Sequence, residues 1–125
     1  MLKGINIGET RDFVSKLDKD KNNPTIFKIG VLDSHARAGI MDMLETDSFG
    51  RVKNQFKYSM DVVRFGLKGI VNFGHEFKTV KIMRWGQEYE VVDNLTLARI
   101  PVMVIDEIAT EIINDNIVSE KETKN

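Results

Sequence analysis

The chain has 125 residues, with 18 basic and 19 acidic side chains and a formal net charge of -1. This length suffices for one domain with a buried hydrophobic core. The near-balance of charge excludes a long-range field that attracts nucleic acid or an anionic membrane, so any charged partner must be held by a local patch. The absence of cysteine excludes disulfides, thiolate zinc sites and cysteine nucleophiles.

The first third of the chain predicts a short helix, a loop and a strand. The segment from Glu9 to Leu17 is expected to be helical, with its apolar residues on one side. Charges, asparagines and Pro24 predict an exposed loop over residues 18–24. Residues 25–32 are β-branched or aromatic and follow this turn signal, so they predict a strand.

Two helices are predicted next, over residues 34–45 and 52–70. Asp33 or Ser34 is expected to cap the first of them. In the second, apolar residues recur at spacings of three or four and predict one continuous helical stripe. The residues of this stripe are Val52, Phe56, Met60, Val63, Leu67 and Ile70.

A β-hairpin is predicted over residues 77–92, with Gly86 supplying the positive φ that a tight turn needs. A short helical turn capped by Asp93 or Asn94 follows. Residues 101–114 predict a final helix that begins at Pro101 and stops at Asn114 or Asn116.

These elements together predict an α+β fold. The chain is interpreted as a single globular domain over residues 1–118, with about three main helices, a β-hairpin and one further strand. Residues 119–125 contain no apolar side chain and are expected to form a charged flexible tail. The longest nearly apolar stretch, residues 100–105, is far too short to span a bilayer, so no membrane partner is expected.

No catalytic, metal-binding or cofactor-binding constellation is recognisable. His35 and His75 lie forty residues apart on different predicted elements, and His75-Glu76 lacks the second histidine of a zincin helix. The Gly-Leu-Lys-Gly segment that begins at Gly66 lacks the glycine spacing and the Lys-Ser/Thr pair of a phosphate loop. An enzyme and a bound cofactor are therefore not expected.

A basic helical face is the most informative local feature. Lys53, Lys57, Arg64 and Lys68 follow spacings of four, seven and four, which return to one side of a helix. Such a face can contact phosphates, pair with acidic residues of a protein, or simply be solvated. The overall charge favours a solvated or protein-facing role and argues against nucleic acid as a partner. The candidate partner-binding residues are Lys53, Lys57, Arg64, Lys68, Phe56, Met60 and Trp85.

Four segments of the C-terminal half carry a resemblance to known proteins. They read FGLKGIVNF (65–73), GQEYEVV (86–92), IPVMVIDEIATEI (100–112) and NIVSEKETKN (116–125). This pattern resembles small morphogenesis proteins of tailed bacteriophages, especially the tail assembly chaperone type. Ile70 stands where tryptophan is common in those proteins.

The resemblance implies a binding role without an active site. A tail assembly chaperone would present apolar helix faces to a tail or tape-measure subunit in the host cytoplasm and suppress its aggregation, as a monomer or a homo-oligomer. One alternative is a structural head–tail connector or capsid accessory protein that remains in the virion. Another is a small nucleic-acid-binding regulator that uses the basic helix.

Overall fold

The computed structural model describes residues 1–122 and shows a single α+β domain, which confirms the predicted fold class. Four helices and five strands lie in this part of the chain. In chain order they are β1 (Arg11–Phe13), β2 (Ile26–Ile29), α1 (Ser34–Met41), α2 (Gln55–Gly66), β3 (Leu67–Val71), β4 (Thr79–Arg84), β5 (Gln87–Val92), α3 (Asn94–Ala98) and α4 (Val102–Glu122).

The strands form two antiparallel sheets. One sheet has the order β1-β2-β3, and the other is the hairpin of β4 and β5. The predicted hairpin and the strand within residues 25–32 are confirmed. Two strands of the larger sheet, β1 and β3, were not predicted.

The helix predicted from Glu9 to Leu17 is wrong, because this segment contains β1. Phe13 of β1 pairs with Phe27 of β2. Arg11 reaches α4, where its Nε donates to Asp115 Oδ2 at 2.6 Å. These long-range contacts outweigh a local helical pattern that is only a few residues long.

The helix predicted over residues 52–70 is also wrong at its end. Helix α2 stops at Gly66, and the chain enters β3 with no intervening loop. The carbonyl oxygen of Gly66, the last residue of the helix, accepts a hydrogen bond from Gly30 N at 2.9 Å. A residue just after β2 thus satisfies a carbonyl group that has no partner within the helix. Leu67 and Ile70 therefore keep a helical spacing in the sequence while they lie in a strand.

The predicted helix caps before α1 and α3 are confirmed. Asp33 Oδ1 accepts from the backbone N–H of Ala36, and Asp93 Oδ1 accepts from that of Thr96, each at 2.8 Å. Both aspartates have extended backbone and satisfy an amide that has no partner inside the helix. Helix α1 ends at Met41, earlier than the predicted residue 45.

The helix stop predicted at Asn114 or Asn116 is wrong, because α4 continues to Glu122. Asn116 is fully buried, and its side-chain amide is bonded to the backbone of Leu32 on a neighbouring segment. The helix thus includes the first four residues of the predicted tail, where Arg37 Nε donates to Glu120 Oε1 at 3.1 Å. Residues 123–125 of that tail lie outside the described residues.

The core lies between the three-stranded sheet, α2, α4 and the inner face of the hairpin. Helices α2 and α4 pack along each other, and β5 covers α2 from the other side. The residues that build this core are Phe27, Ile29, Val62, Val63, Phe65, Leu67, Val91, Val92, Ile105, Ile108 and Ile112.

Candidate protein-binding surfaces

The four basic residues predicted to share one helical face do not do so. Lys53 precedes α2, and Lys68 lies in β3, so only Lys57 and Arg64 belong to the helix. The prediction of one basic helical face is therefore wrong. The error has two causes: α2 begins only at Gln55, and the helix changes to a strand at Leu67, so the 3.6-residue period reaches neither Lys53 nor Lys68.

Two of these cations are engaged within the fold. Arg64 Nη1 donates to Asn94 Oδ1 at 2.6 Å, and Arg64 Nε lies 3.7 Å from Asp61 Oδ1. Lys68 Nζ donates to the carbonyl oxygen of Phe65 at 2.8 Å. Burial lowers the pKa of Lys68, against the attraction of nearby carboxylates. Both residues thus have structural contacts that compete with binding a partner.

The three apolar residues predicted to bind a partner have different surroundings. Phe56 is exposed, whereas Met60 is half-buried and packs against the core. Trp85 forms the two-residue hairpin turn with Gly86, with φ values of 49° and 75°. Of these three, Phe56 is the residue most open to a partner.

Trp85 is held by aromatic packing. Its ring centroid lies 5.1 Å from that of Phe65 and 5.8 Å from that of Tyr89. Tyr89 in turn donates its hydroxyl to Asp33 Oδ1 at 3.0 Å, which links the hairpin to the N-terminal cap of α1. A bulky residue with positive φ is strained, and this cluster supplies the contacts that hold it there.

Tyr89 is expected to make the stability of the domain pH-dependent in alkali. Burial, and then the hydrogen bond to Asp33, raise the pKa of Tyr89 to about 12. Because this pKa is above that of an unfolded tyrosine, about 10, the stabilising contribution is complete below about pH 10 and is lost as the pH rises towards 12.

Urea unfolding at a series of pH values should show this loss of stability in the unmodified chain but not in Tyr89→Phe. Tyr58→Phe, the matched control, should retain it. An identical pH dependence in all three proteins would contradict the assignment to Tyr89.

A groove beside α4 is the most favourable surface for binding a protein segment. Its volume is about 520 Å³, and it lies between the segment after β1 and the outer face of α4. We call it the α4 groove. It is lined by Phe13, Lys16, Leu17, Met103, Asp106, Glu107, Thr110, Glu111 and Asn114.

The α4 groove combines exposed apolar side chains with an excess of negative charge. Leu17 and Met103 are 56% and 58% exposed, which leaves apolar surface available to a partner. Three carboxylates line the groove against the single cation of Lys16. One of them, Glu111, also lies 3.6 Å from Arg11, which is bonded to Asp115 as well, so the excess of negative charge remains. The surface is therefore complementary to a segment that carries apolar and basic side chains.

Hydrogen bonds fix the walls of the α4 groove. The Glu107 carboxylate accepts from Ser15 Oγ and from the backbone N–H of Lys16, so it fastens the segment after β1 to α4. Asp106 Oδ1 accepts from Ser59 Oγ at 2.9 Å, which fixes this carboxylate against α2. Sequence reasoning missed the groove because its two exposed apolar residues are far apart in the chain, and no local pattern joins them.

A second groove lies under the hairpin and has a volume of about 440 Å³. It is lined by Asp61, Arg64, Val80, Ile82, Arg84, Val91 and Asn94, and we call it the hairpin groove. The Arg84 guanidinium lies over the rings of Phe65 and Trp85, at 6.0 and 5.6 Å from their centroids. It forms no ion pair with any residue of the described chain.

Over residues 1–122, no group of three or more histidine or carboxylate side chains is arranged to hold a metal ion. No helix in the same range is long and apolar enough to cross a membrane. No family model, curated protein or solved structure matches this chain.

Proposed function

We propose that the chain is a tailed-bacteriophage assembly protein of the tail assembly chaperone type. It binds a tail or tape-measure subunit through the α4 groove in the host cytoplasm during assembly. The proposal rests on one observation: exposed Leu17 and Met103 line the same groove as the carboxylates of α4. An assembly protein needs such a surface to cover apolar parts of a subunit that has not yet reached its neighbours.

The sequence resemblance and the groove support different parts of the proposal. Residues of the resembling segments, such as Phe65, Val91 and Ile108, lie in the core. They are therefore not available to bind a partner. Binding is supported by the α4 groove, since exposed side chains there remain available to a partner.

The apolar and charged residues of the groove have distinct roles in the proposed binding. Burial of Leu17 and Met103 contributes about 25 cal/mol for each Å² of apolar surface removed from water. Asp106, which forms no ion pair within residues 1–122, attracts basic side chains, which orients the subunit and speeds its association. Apolar contact thus provides most of the affinity, and the carboxylates select which segment enters.

Leu17→Asp is expected to weaken binding of the subunit by about tenfold or more, which corresponds to at least 1.4 kcal/mol. The substitution replaces an exposed apolar contact with another negative charge in the groove. Leu95→Asp is the matched control, because Leu95 is 54% exposed and does not line the groove. The measurement is co-purification from cells that express the chain with the tail-tube and tape-measure subunits, with circular dichroism as the check of folding.

The same experiment separates the alternative functions. Nuclease treatment and washes at low and high salt are applied before the retained protein is identified. Retention of a tail or tape-measure subunit by the unmodified chain and by Leu95→Asp, with loss from Leu17→Asp, supports the proposal. Retention of a portal or capsid protein instead would replace it with the connector function. A partner that is only nucleic acid, lost with nuclease and weakened steeply by salt, would replace it with the regulator function. Equal effects of the two substitutions would overturn the role of the groove.

A further inference from the structure

One edge of the hairpin is left without a strand partner. Among residues 1–122, β4 pairs only with β5, in a regular register with no bulge. Arg84 and Gln87 flank the two-residue turn and are joined by its hydrogen bond. Hydrogen-bonded and non-bonded pairs alternate in an antiparallel ladder. Thr79, Lys81 and Met83 therefore direct their N–H and C=O groups away from β5.

This edge is six residues long and accessible. Val80 is 45% exposed and Met83 is 67% exposed. Exposed edges of this kind are usually blocked by proline, a bulge, a covering element or charge, because they add strands readily. Of these four protective features, β4 has only charge, which Lys81 and Arg84 supply.

These charges oppose pairing between two copies of β4 in the register centred on Lys81. An antiparallel pair centred on Lys81 would place Lys81 opposite Lys81 and Lys78 opposite Arg84, and like charges directly opposite each other are destabilising. The same charges favour an added strand of opposite sign. β4 contains no acidic residue, and Arg84 forms no ion pair with any described residue.

Acidic residues near the edge match Lys81 but leave Arg84 without an ion pair among the described residues. Asp61, in the hairpin groove, lies 3.7 Å from Arg64 and is matched by it, which leaves Arg84 in excess. Glu88 and Glu90 are on β5, and Lys81 Nζ lies 4.0 Å from Glu88 Oε1, so Lys81 is matched as well. Neighbouring strands are about 4.8 Å apart, so the backbone of a strand added to β4 would lie about 10 Å from the backbone of β5, which carries these two carboxylates.

We propose that the open edge of β4 and the hairpin groove bind an extended acidic segment of another protein by strand addition. Backbone groups of Thr79, Lys81 and Met83 pair with the segment, which provides affinity without regard to side chains. Alternate side chains of the segment enter the hairpin groove, where Val80 and Ile82 accept apolar groups and Arg84 accepts a carboxylate. This site is separate from the α4 groove and does not depend on the phage assignment.

Synthetic peptides provide a direct test. The probe has about eight residues, enough to span β4, and alternates valine with glutamate. Its counterpart alternates valine with lysine. By NMR, the glutamate probe should slow hydrogen exchange at the amides of Thr79, Lys81 and Met83 and leave Val80 and Ile82 unchanged. The lysine probe should bind at least about tenfold more weakly, a difference of 1.4 kcal/mol.

Variants of β4 separate backbone pairing from charge. Lys81→Pro removes an outward amide and leaves the bonds to β5, so it should abolish binding, whereas Lys81→Ala keeps the amide and should retain most of it. Arg84→Gln should weaken the glutamate probe and should not weaken the lysine probe, because it removes a charge that attracts the first and repels the second. Emission from Trp85, the only tryptophan, reports whether the hairpin is intact in each variant. Leu17→Asp should not affect either probe, which distinguishes this site from the α4 groove.

Three results would overturn the proposal. The first is equal affinity for the two probes. The second is binding of the glutamate probe without protection of Thr79, Lys81 and Met83. The third is protection of these amides that appears without a probe and increases with protein concentration, since this would show that β4 pairs with a second copy. If Lys81→Pro disrupts the hairpin, the proposal is tested by Arg84→Gln and by the hydrogen-exchange pattern of the unmodified chain with the glutamate probe.

Discussion

Replacement of Asn116 by alanine is expected to lower the free energy of unfolding by about 2–5 kcal/mol. Asn116 is 0% exposed, and its side chain forms two hydrogen bonds with Leu32. Leu32 N–H donates to Oδ1, and Nδ2 donates to the Leu32 carbonyl oxygen, each at 2.9 Å. The substitution leaves two buried backbone groups without partners, at about 1–3 kcal/mol for each, and it also creates a small cavity.

The position of Leu32 explains why the loss is large. Leu32 lies between β2 and α1, where its backbone has no ladder or helix partner, and Asn116 supplies both missing bonds from α4. These two hydrogen bonds between Asn116 and Leu32 therefore fix the path of the chain from the sheet into α1. It also explains why an asparagine occupies the interior of a long helix, where its intrinsic propensity is poor.

Urea unfolding followed by circular dichroism measures this effect. Asn114→Ala is the matched control on the same helix, because Asn114 is exposed and makes no side-chain hydrogen bond within residues 1–122. Its expected change is within about 0.5 kcal/mol. Similar losses of unfolding free energy in the two variants would show that they arise from helix propensity and not from the hydrogen bonds to Leu32.

Features with a local physical cause could be predicted from the sequence. Asp33 and Asp93 act as caps because an aspartate side chain reaches an amide only two or three residues ahead. The hairpin follows from alternating side chains on both sides of a turn that contains Gly86. In each case the decisive contact lies within a short stretch of sequence.

Features fixed by distant contacts could not be predicted in this way. β1 exists because Phe13 pairs with Phe27 and Arg11 bonds to Asp115, and neither partner is near in the sequence. The end of α2 depends on a hydrogen bond from Gly30. The prediction of one basic helical face was wrong for the same reason, since the last of its four residues, Lys68, belongs to β3.

The α4 groove shows this limit for function. Leu17 was assigned to one side of a short helix, and no pattern in the sequence relates it to Met103. Their joint exposure appears only after α4 and the segment after β1 are bonded through Glu107. A binding surface assembled by tertiary contacts leaves no periodic signal, whereas a core helix does.

Gly39→Ala is expected to destabilise the domain by about 2 kcal/mol, because Trp85 occupies the space of a side chain. A Cβ at Gly39 would lie 2.1 Å from Cε2 and 2.2 Å from Nε1 of Trp85. The indole cannot withdraw easily, since Phe65 and Tyr89 pack against it and its backbone is fixed in the turn. A contact this short places the cost of overpacking at the upper end of its usual range, about 3 kcal/mol, and the better helix propensity of alanine offsets about 1 kcal/mol of it.

A double-mutant cycle with Trp85→Leu tests this cause. In the Trp85→Leu background the added methyl group has room, so Gly39→Ala should cost little or even stabilise α1, and the two substitutions should show a coupling energy of about 1–3 kcal/mol. Gly74→Ala is the control, because nothing lies within 4 Å of a Cβ at that position. All free energies are measured by urea unfolding with circular dichroism, since the fluorescence of Trp85 is lost in half of the cycle. An equal cost of Gly39→Ala in both backgrounds would show that the indole is not the obstacle. A cost confined to the background with Trp85 would establish that the indole packs directly on α1 at Gly39, in addition to the hydrogen bond from Tyr89 to Asp33 that also joins the hairpin to this helix.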